Sequence, residues 1–309
     1  MTLDLGRLLS HSLAISWRHR WLWFLGVFGG AAGGLNFGSG PATPFRSGRF
    51  QGAQLAQFLG DHLAWILGAI AAVLVISVIA FVVSCVAVPA SIWAGLELDA
   101  GRPVGLGAAW REGRSRFWRY LRLALLKLAI GLVIAAVAGV LVLAGFAVYR
   151  AGGSATLVLL VLGGVFLLLA LIVASILLRL ALTWSDRLLV ILELGVVDSI
   201  RTGWWLFKRS KVDTVVFGLV LYVVRLVIAV IIAIIAGLAA VPGLLMVAGY
   251  FATSQASTGL LIAGIVWIVV VGGGVELVGA GFLGAFSQVG YALAARDLTQ
   301  SRGLQTAPA

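Results

Sequence analysis

Residues 195–213 read GVVDSIRTGWWLFKRSKVD. This stretch spaces small residues four apart and places an arginine six residues after the last of them: Gly195, Ser199, Gly203 and Arg209. The same spacing occurs twice more, at Gly105, Ala109, Gly113 and Arg119 and at Gly6, Ser10, Ala14 and Arg20. Residues four apart share one helix face, where small side chains let two helix backbones approach closely. Because each copy precedes a long apolar stretch, the pattern predicts an internal repeat, and the alternative is a chance match in a chain with 40 glycines.

The composition indicates a membrane protein. The chain of 309 residues is 62% hydrophobic and 11% charged, with a mean hydropathy of +1.12. A soluble domain carries about 25% charged residues, so the apolar surface here exceeds what one aqueous core could hide. The net charge of +11 does not indicate a nucleic-acid partner, because the basic residues lie between apolar runs.

Six apolar stretches are long enough to be transmembrane helices at about 20 residues each. We predict spans at Trp21–Phe37 (extending back into the preceding helix), Leu63–Val88, Tyr120–Tyr149, Thr156–Thr183, Thr214–Val241 and Thr258–Ala295. The second and fifth are predicted to end at Pro89 and Pro242. The runs lack the two-residue alternation of a β-barrel, so the predicted fold class is an all-α polytopic bundle.

The distribution of Lys and Arg predicts the orientation. The termini and the even-numbered connections hold 17 of these residues, whereas the odd-numbered connections hold three, Arg46, Arg49 and Arg150. Basic residues are retained on the cytoplasmic side, so both termini are predicted to lie in the cytoplasm of a bacterial inner membrane.

The three copies divide the chain into like-oriented units, about 1–96, 97–184 and 185–298, followed by a disordered tail, 299–309. Each unit is predicted to begin with an amphipathic interfacial helix on the cytoplasmic face and to continue with two spans. Three such units form a single membrane domain with pseudo-threefold parallel symmetry.

Two charges fall inside predicted spans and are the candidate site residues. Arg225 lies in LYVVRLVIAV and Glu276 in VVVGGGVELVGAG. Counted from the basic residues at the span ends, they lie about one turn apart, so an intramembrane ion pair is predicted. The alternatives are a proton or substrate-ion site, and two side chains that extend to opposite interfaces without contact.

Gly272, Gly273 and Gly274 come just before Glu276 and are a candidate helix break of the kind that lines transport sites. The competing explanation is close helix packing. Elsewhere we expect Lys127 to reach towards the cytoplasmic interface and Asp186 to pair locally with Arg187. Three scattered histidines, one cysteine and the absence of hydrolase, metalloprotease and phosphate-loop motifs predict no metal, no cofactor and no catalytic activity.

The stretch 195–213, together with TWSDRLLVILEL at 183–194, resembles segments of uncharacterised bacterial six-span integral membrane proteins. It is also similar to the membrane domain attached to some glycerophosphoryl diester phosphodiesterases. The resemblance implies this architecture without the catalytic domain and its metal ligands. We therefore expect a non-catalytic module for assembly, lipid interaction or partner binding, whose partners are anionic lipid headgroups and another membrane protein. The alternative is a small-solute or ion transporter that uses Arg225 and Glu276.

Overall fold

The computed structural model describes residues 4–32, 52–151, 182–252 and 258–301, together with a few single positions between 163 and 178. These residues are helical apart from short turns, and none of them forms a strand. The helices are α1 (Leu5–Arg18), α2 (Trp21–Ala32), α3 (Gly52–Asp99), α4 (Leu106–Ser115), α5 (Phe117–Ala151), α6 (Val196–Arg209), α7 (Lys211–Ala252), α8 (Thr258–Trp267) and α9 (Gly273–Ser301). Residues 182–191 are also helical, and a π-helical turn joins α8 to α9.

Four stretches of described helix are long and apolar enough to cross a membrane. They are Leu63–Asp99, Phe117–Leu143, Val212–Phe251 and Thr258–Ser301. Their lengths of 37, 27, 40 and 44 residues exceed the roughly 20 that one crossing requires. The predicted all-helical class is confirmed, and these helices fit a multi-pass membrane protein. The predicted fourth span, Thr156–Thr183, lies almost entirely outside the described residues.

The prediction that prolines end two spans is wrong. α3 continues ten residues beyond Pro89, and α7 continues beyond Pro242 to Ala252. Proline removes one backbone hydrogen bond, and surrounding contacts can compensate for that loss. The residues around Pro89 are fully buried, and the Trp267 indole N–H donates to the Ala239 carbonyl, one turn before Pro242, at 2.9 Å.

The N-terminal helices also differ from the prediction. The predicted first span does not extend back into the preceding helix, because the chain turns at His19 and Arg20 between α1 and α2. The described part of α2, from Trp21 to Ala32, has 12 residues, about 18 Å of helix. Residues 33–37 of that span lie outside the described part of the chain.

α1 and α2 form a hairpin that packs on α9. α1 runs antiparallel to α9, with contacts that pair Arg7 with Asp297, Ser12 with Gly290 and Trp17 with Phe282. α2 runs parallel to α9, with contacts that pair Trp23 with Gly281, Gly26 with Gly284 and Gly29 with Gln288. At Gly26 and Gly284 the two backbones touch, so a Cβ on either residue would overlap the other helix.

The buried side chains form two adjoining clusters where the short helices meet the ends of the long ones. Trp184, Phe217 and Phe286 are the largest fully buried side chains. By contrast, the most apolar windows of α3 and α5 have 0% of their residues buried. Apolar side chains exposed over such lengths are suited to lipid rather than water.

The described part of α9 runs to Ser301, six residues beyond the predicted end of span six. Leu298 and Thr299 are buried within it, so the predicted disordered tail cannot begin at residue 299. Residues 302–309 lie outside the described chain.

Candidate functional site

Arg225 and Glu276 are not joined by an ion pair. Both side chains are exposed on the described structure, Arg225 on α7 and Glu276 in the first turn of α9. The ion pairs found among the described residues involve other carboxylates and other cations. The predicted pair is therefore corrected to two separate charges.

The register between α7 and α9 explains the separation. Ile232 packs on Gly279 and Leu221 on Gly290, so the two antiparallel helices advance together along the contact. This register puts Arg225 level with about Phe286 and Glu276 level with about Ile235. The two charges are therefore about ten residues, or about 15 Å, apart along the bundle. Counting from basic residues at the span ends misplaces Glu276, because the start of α7 lies level with the very end of α9.

Gly272, Gly273 and Gly274 lie in a continuous helix. Ile268–Gly272 forms a single π-helical turn, and α9 begins at the next residue. Gly272 is buried, with the Ala240 side chain 3.6 Å from the position of a Cβ, while Gly273 and Gly274 face open space. The irregularity that the sequence suggested is thus a π turn that ends four residues before Glu276. Such turns widen a helix locally and are frequent at functional sites.

The small-residue stripes are buried in two of the three copies. Ala109 and Gly113 in α4 are buried, as are Ser199 and Gly203 in α6. Gly105 and Gly195 are the N-cap residues of these helices. Arg119 is exposed at the start of α5, and Arg209 lies 5.2 Å from the ring centre of Trp205.

In the first copy the predicted stripe is on the wrong face. Gly6, Ser10 and Ala14 are exposed, and Arg20 lies in the turn after α1. The buried residues of α1 are instead Leu8, Ser12 and Ser16. A shift of two positions rotates a helix by about 200°, which carries the stripe to the opposite side. The spacing of four is therefore preserved, but its starting residue is Leu8.

A buried network of polar side chains lies elsewhere in the core. Lys127 of α5 forms an ion pair with Asp186 at 2.5 Å. The second carboxylate oxygen of Asp186 lies 3.2 Å from Arg187 Nη1. Arg187 Nη2 donates to Gln288 Oε1 at 2.8 Å, and Gln288 Nε2 donates to the Gly29 carbonyl at 3.2 Å. One chain of contacts thus connects α5, residues 182–191, α9 and α2.

One aromatic ring lies against the Arg187 guanidinium of this network. The Arg187 guanidinium lies 5.1 Å from the ring centre of Tyr291, and Trp184 meets the same ring edge-on. The Arg187 side chain is only 6% exposed. Its Nε and the Trp184 Nε1 are buried donors with no acceptor within the described part of the chain. The guanidinium of Arg187 is therefore held by hydrogen bonds at Nη1 and Nη2 and by its contact with the Tyr291 ring.

A second group of charges joins the helix ends. Asp99, the last residue of α3, accepts from Arg296 Nη2 at 2.6 Å and from His11 Nδ1 at 3.1 Å. Arg7 pairs with Asp297 at 2.7 Å. These contacts hold α1, α3 and α9 together at one end of the bundle.

A third contact links α4 with the loop before α6. Arg116, the C-cap residue of α4, pairs with Glu112 and Glu193 and donates to the Val190 carbonyl. Glu193 has a positive φ of 53°, a rare backbone conformation for a residue other than glycine.

The sequence predicted these polar residues only in part. Lys127 was expected to reach towards an interface; its side chain is 24% exposed, and its pairing with Asp186 was not predicted. The pairing of Asp186 with Arg187 was expected and is present, but its extension to Gln288 was not. A useful signal was Gln288 itself, a large amide in an otherwise small and apolar stretch, GAFSQVGYALAA.

The described residues hold no group of three or more His, Cys, Asp or Glu side chains placed to bind a metal ion. Cys85 is buried in the smaller of the two core clusters, which also contains Tyr120 and Leu189. Comparisons of the chain with protein-family models, with curated proteins and with solved structures found no match.

Proposed function

We propose that the protein is a non-catalytic membrane-embedded module of a bacterial inner membrane, which supports assembly, lipid interaction or partner binding. In this proposal it has six spans in three like-oriented units, with interfacial helices and both termini on the cytoplasmic side. The similarity to the membrane domain of glycerophosphoryl diester phosphodiesterases belongs to the same proposal.

The packing of the short helices supports the repeat. α4 packs its buried Gly113 on α3, the long helix that precedes it in the chain. α1 packs Ser12 on Gly290 of α9, the last long helix. Each short helix would thus rest on the second span of the preceding unit, and α1 on α9 would close the ring. With Leu8, Ser12 and Ser16 as the first stripe, all three units keep their buried residues four apart.

The observation that carries a structural role is the buried network. Its charges are engaged with one another and with backbone carbonyls across four helical segments. Removing the carboxylate between two such cations would leave them without a counter-charge, so the segments that supply these side chains depend on one another. Such charges are used to hold the bundle together, which favours a scaffold over a conducting pathway.

Three variants test this role. Asp186→Asn leaves Lys127 and Arg187 without a carboxylate, so we expect a loss of about 3–5 kcal/mol and low accumulation in the membrane fraction. Lys127→Met keeps the Asp186–Arg187 contact, so its loss should be smaller. The double variant removes one of the two uncompensated cations and should recover part of the stability that Asp186→Asn loses. The measurements are membrane accumulation and the thermal unfolding midpoint in detergent.

Glu97→Gln is the matched control, because Glu97 pairs with an Arg102 that is 66% exposed and such pairs contribute about 0–1 kcal/mol. A structural role for the network is contradicted if Asp186→Asn accumulates and unfolds like the wild type. The scaffold proposal is also lost if a variant of normal stability abolishes a solute flux that the wild type supports in liposomes.

A transporter is the second candidate, and the π turn before Glu276 favours it. An exposed carboxylate beside a helix irregularity, with no ion-pair partner among the described residues, could bind a proton or cation in the membrane. For a transporter, Glu276→Gln should accumulate normally and reduce ion-dependent flux in liposomes by at least about tenfold. Glu193→Gln makes the same substitution in a loop and should leave flux unchanged. Equal flux in the wild type, in both variants and in empty liposomes would exclude this candidate.

A further inference from the structure

A groove of about 420 Å³ lies where α4 turns into α5. Trp110 and Arg114 of α4 line one side, Phe117 and Trp118 of α5 line another, and Val86 of α3 contributes the third. Three aromatic rings and one guanidinium therefore surround the same space. This combination has an apolar body and a cationic rim.

The groove lies at a boundary on α3. From residue 84 onwards α3 is largely buried, whereas side chains before it, such as Ile79 and Val82, are exposed and apolar. α5 likewise exposes Leu125 and Leu128 beyond the groove. Apolar surface thus continues out of the groove along two helices. The exposed ring of Trp118 lies at this boundary, where tryptophan is typical of the membrane–water interface.

The charge around the groove is positive. Arg114 is exposed, and none of the ion pairs among the described residues uses it. The acidic residue on the same helix, Glu112, pairs with Arg116. Arg111, Arg119 and Arg122 are also exposed on α4 and α5, but they do not line the groove. An anionic group that enters the groove would therefore meet the Arg114 guanidinium without a competing carboxylate in the lining.

The corresponding junction of α6 and α7 provides an internal contrast. A smaller groove of about 310 Å³ occurs there, lined by Lys208, Arg209, Ser210, Val212 and Asp213. Its cations lie over the rings of Trp204 and Trp205, and Asp213 supplies a negative charge. Aromatic walls and an available arginine therefore distinguish the first groove.

We infer that the groove between α4, α5 and α3 binds one anionic phospholipid, with its phosphate at Arg114 and an acyl chain along the exposed faces of α3 and α5. This inference rests on the proposed membrane location and names the partner of one site in it. A soluble phosphate would not use the apolar surface that leads out of the groove, and a zwitterionic lipid would gain less from the unpaired charge of Arg114.

The test is native mass spectrometry of the delipidated full-length protein, titrated with phosphatidylglycerol or phosphatidylcholine. The wild type should bind a first phosphatidylglycerol more tightly than a first phosphatidylcholine. Arg114→Gln should weaken the first phosphatidylglycerol about fivefold, as expected for one interfacial charge. Arg114→Lys should retain most of the affinity. Trp118→Ala should weaken both lipids, because it removes the apolar wall rather than the charge.

Arg111→Gln is the matched control, since it removes the same charge from the same helix at a residue that does not line the groove. Equal weakening by Arg111→Gln and Arg114→Gln would show diffuse surface attraction and overturn the inference. Displacement of the lipid by millimolar inorganic phosphate would identify a soluble anion as the occupant and overturn it too. Carbonate extraction of each variant is the separate test of membrane location. Release of the protein into the supernatant would contradict the membrane proposal, whereas retention with altered lipid binding concerns the groove alone.

Discussion

At the scale of single residues, close helix contacts in this protein depend on glycines, which have no side chain to hold two backbones apart. A Cβ on Gly113 would overlap the Val86 carbonyl and come within 2.8 Å of the Ala90 side chain. Gly107, two turns earlier on α4, has nothing within 4 Å of its Cβ position. The spacing pattern found Gly113, because it repeats the buried position of Gly203. It misplaced the stripe of α1, because Ser10 and Ser12 are equally plausible small residues in the sequence.

Gly113→Val should destabilise the protein by about 1–3 kcal/mol, because the added atoms force α4 away from α3. Gly107→Val carries the same change into open space and should have little effect. Thermal unfolding of both variants in detergent measures the difference. Equal unfolding temperatures would mean that α4 does not pack on α3 through Gly113.

At the scale of helices, the sequence was sufficient to predict that the long helices exist, but not where they end or how they are aligned with one another. Long apolar runs predicted α3, α5 and α7, because a segment that crosses a membrane must form its backbone hydrogen bonds within itself. The ends at Pro89 and Pro242 were wrong, because tertiary contacts compensate for a lost hydrogen bond and a local rule does not include them. The packing of α2 on α9 through its glycines likewise depends on tertiary contacts that a local rule does not include.

The alignment of one helix against another was the feature that could be predicted least well from the sequence. Counting from basic residues brought Arg225 and Glu276 together, but the contacts of Ile232 and Leu221 with α9 separate them by about 15 Å. The network of Lys127, Asp186 and Arg187 joins residues from distant parts of the sequence. Neither result follows from a pattern along one helix, because both depend on which faces meet.

At the scale of the whole molecule, the ends of several long helices lie together. Arg7 near the start of α1 pairs with Asp297 near the end of α9, and Asp99 at the end of α3 pairs with Arg296. The start of α7 joins the same end, since Phe217 packs on Tyr291. If these four helix ends lie on one side of a membrane, the chain must cross it an even number of times between one end and the next along the sequence. Two crossings in each interval give the proposed six.

Single-cysteine labelling tests this count, because the one native thiol, Cys85, is buried and can be replaced by serine. We expect Ser47→Cys and Ser154→Cys to react with a membrane-impermeant maleimide in intact cells. Ser115→Cys and Ser301→Cys, at the end of α4 and the end of α9, should react only after permeabilisation. The Ser47 position is the most informative, because α2 runs parallel to α9 and therefore towards the side on which α9 ends, so its described residues do not supply the outward crossing that six spans require. If that position is protected in intact cells while Ser154→Cys is labelled, the first unit loses its outward crossing and the count of six fails there. If Ser154→Cys is protected as well, the like-oriented units themselves are contradicted, because α5 would then begin and end on the same side.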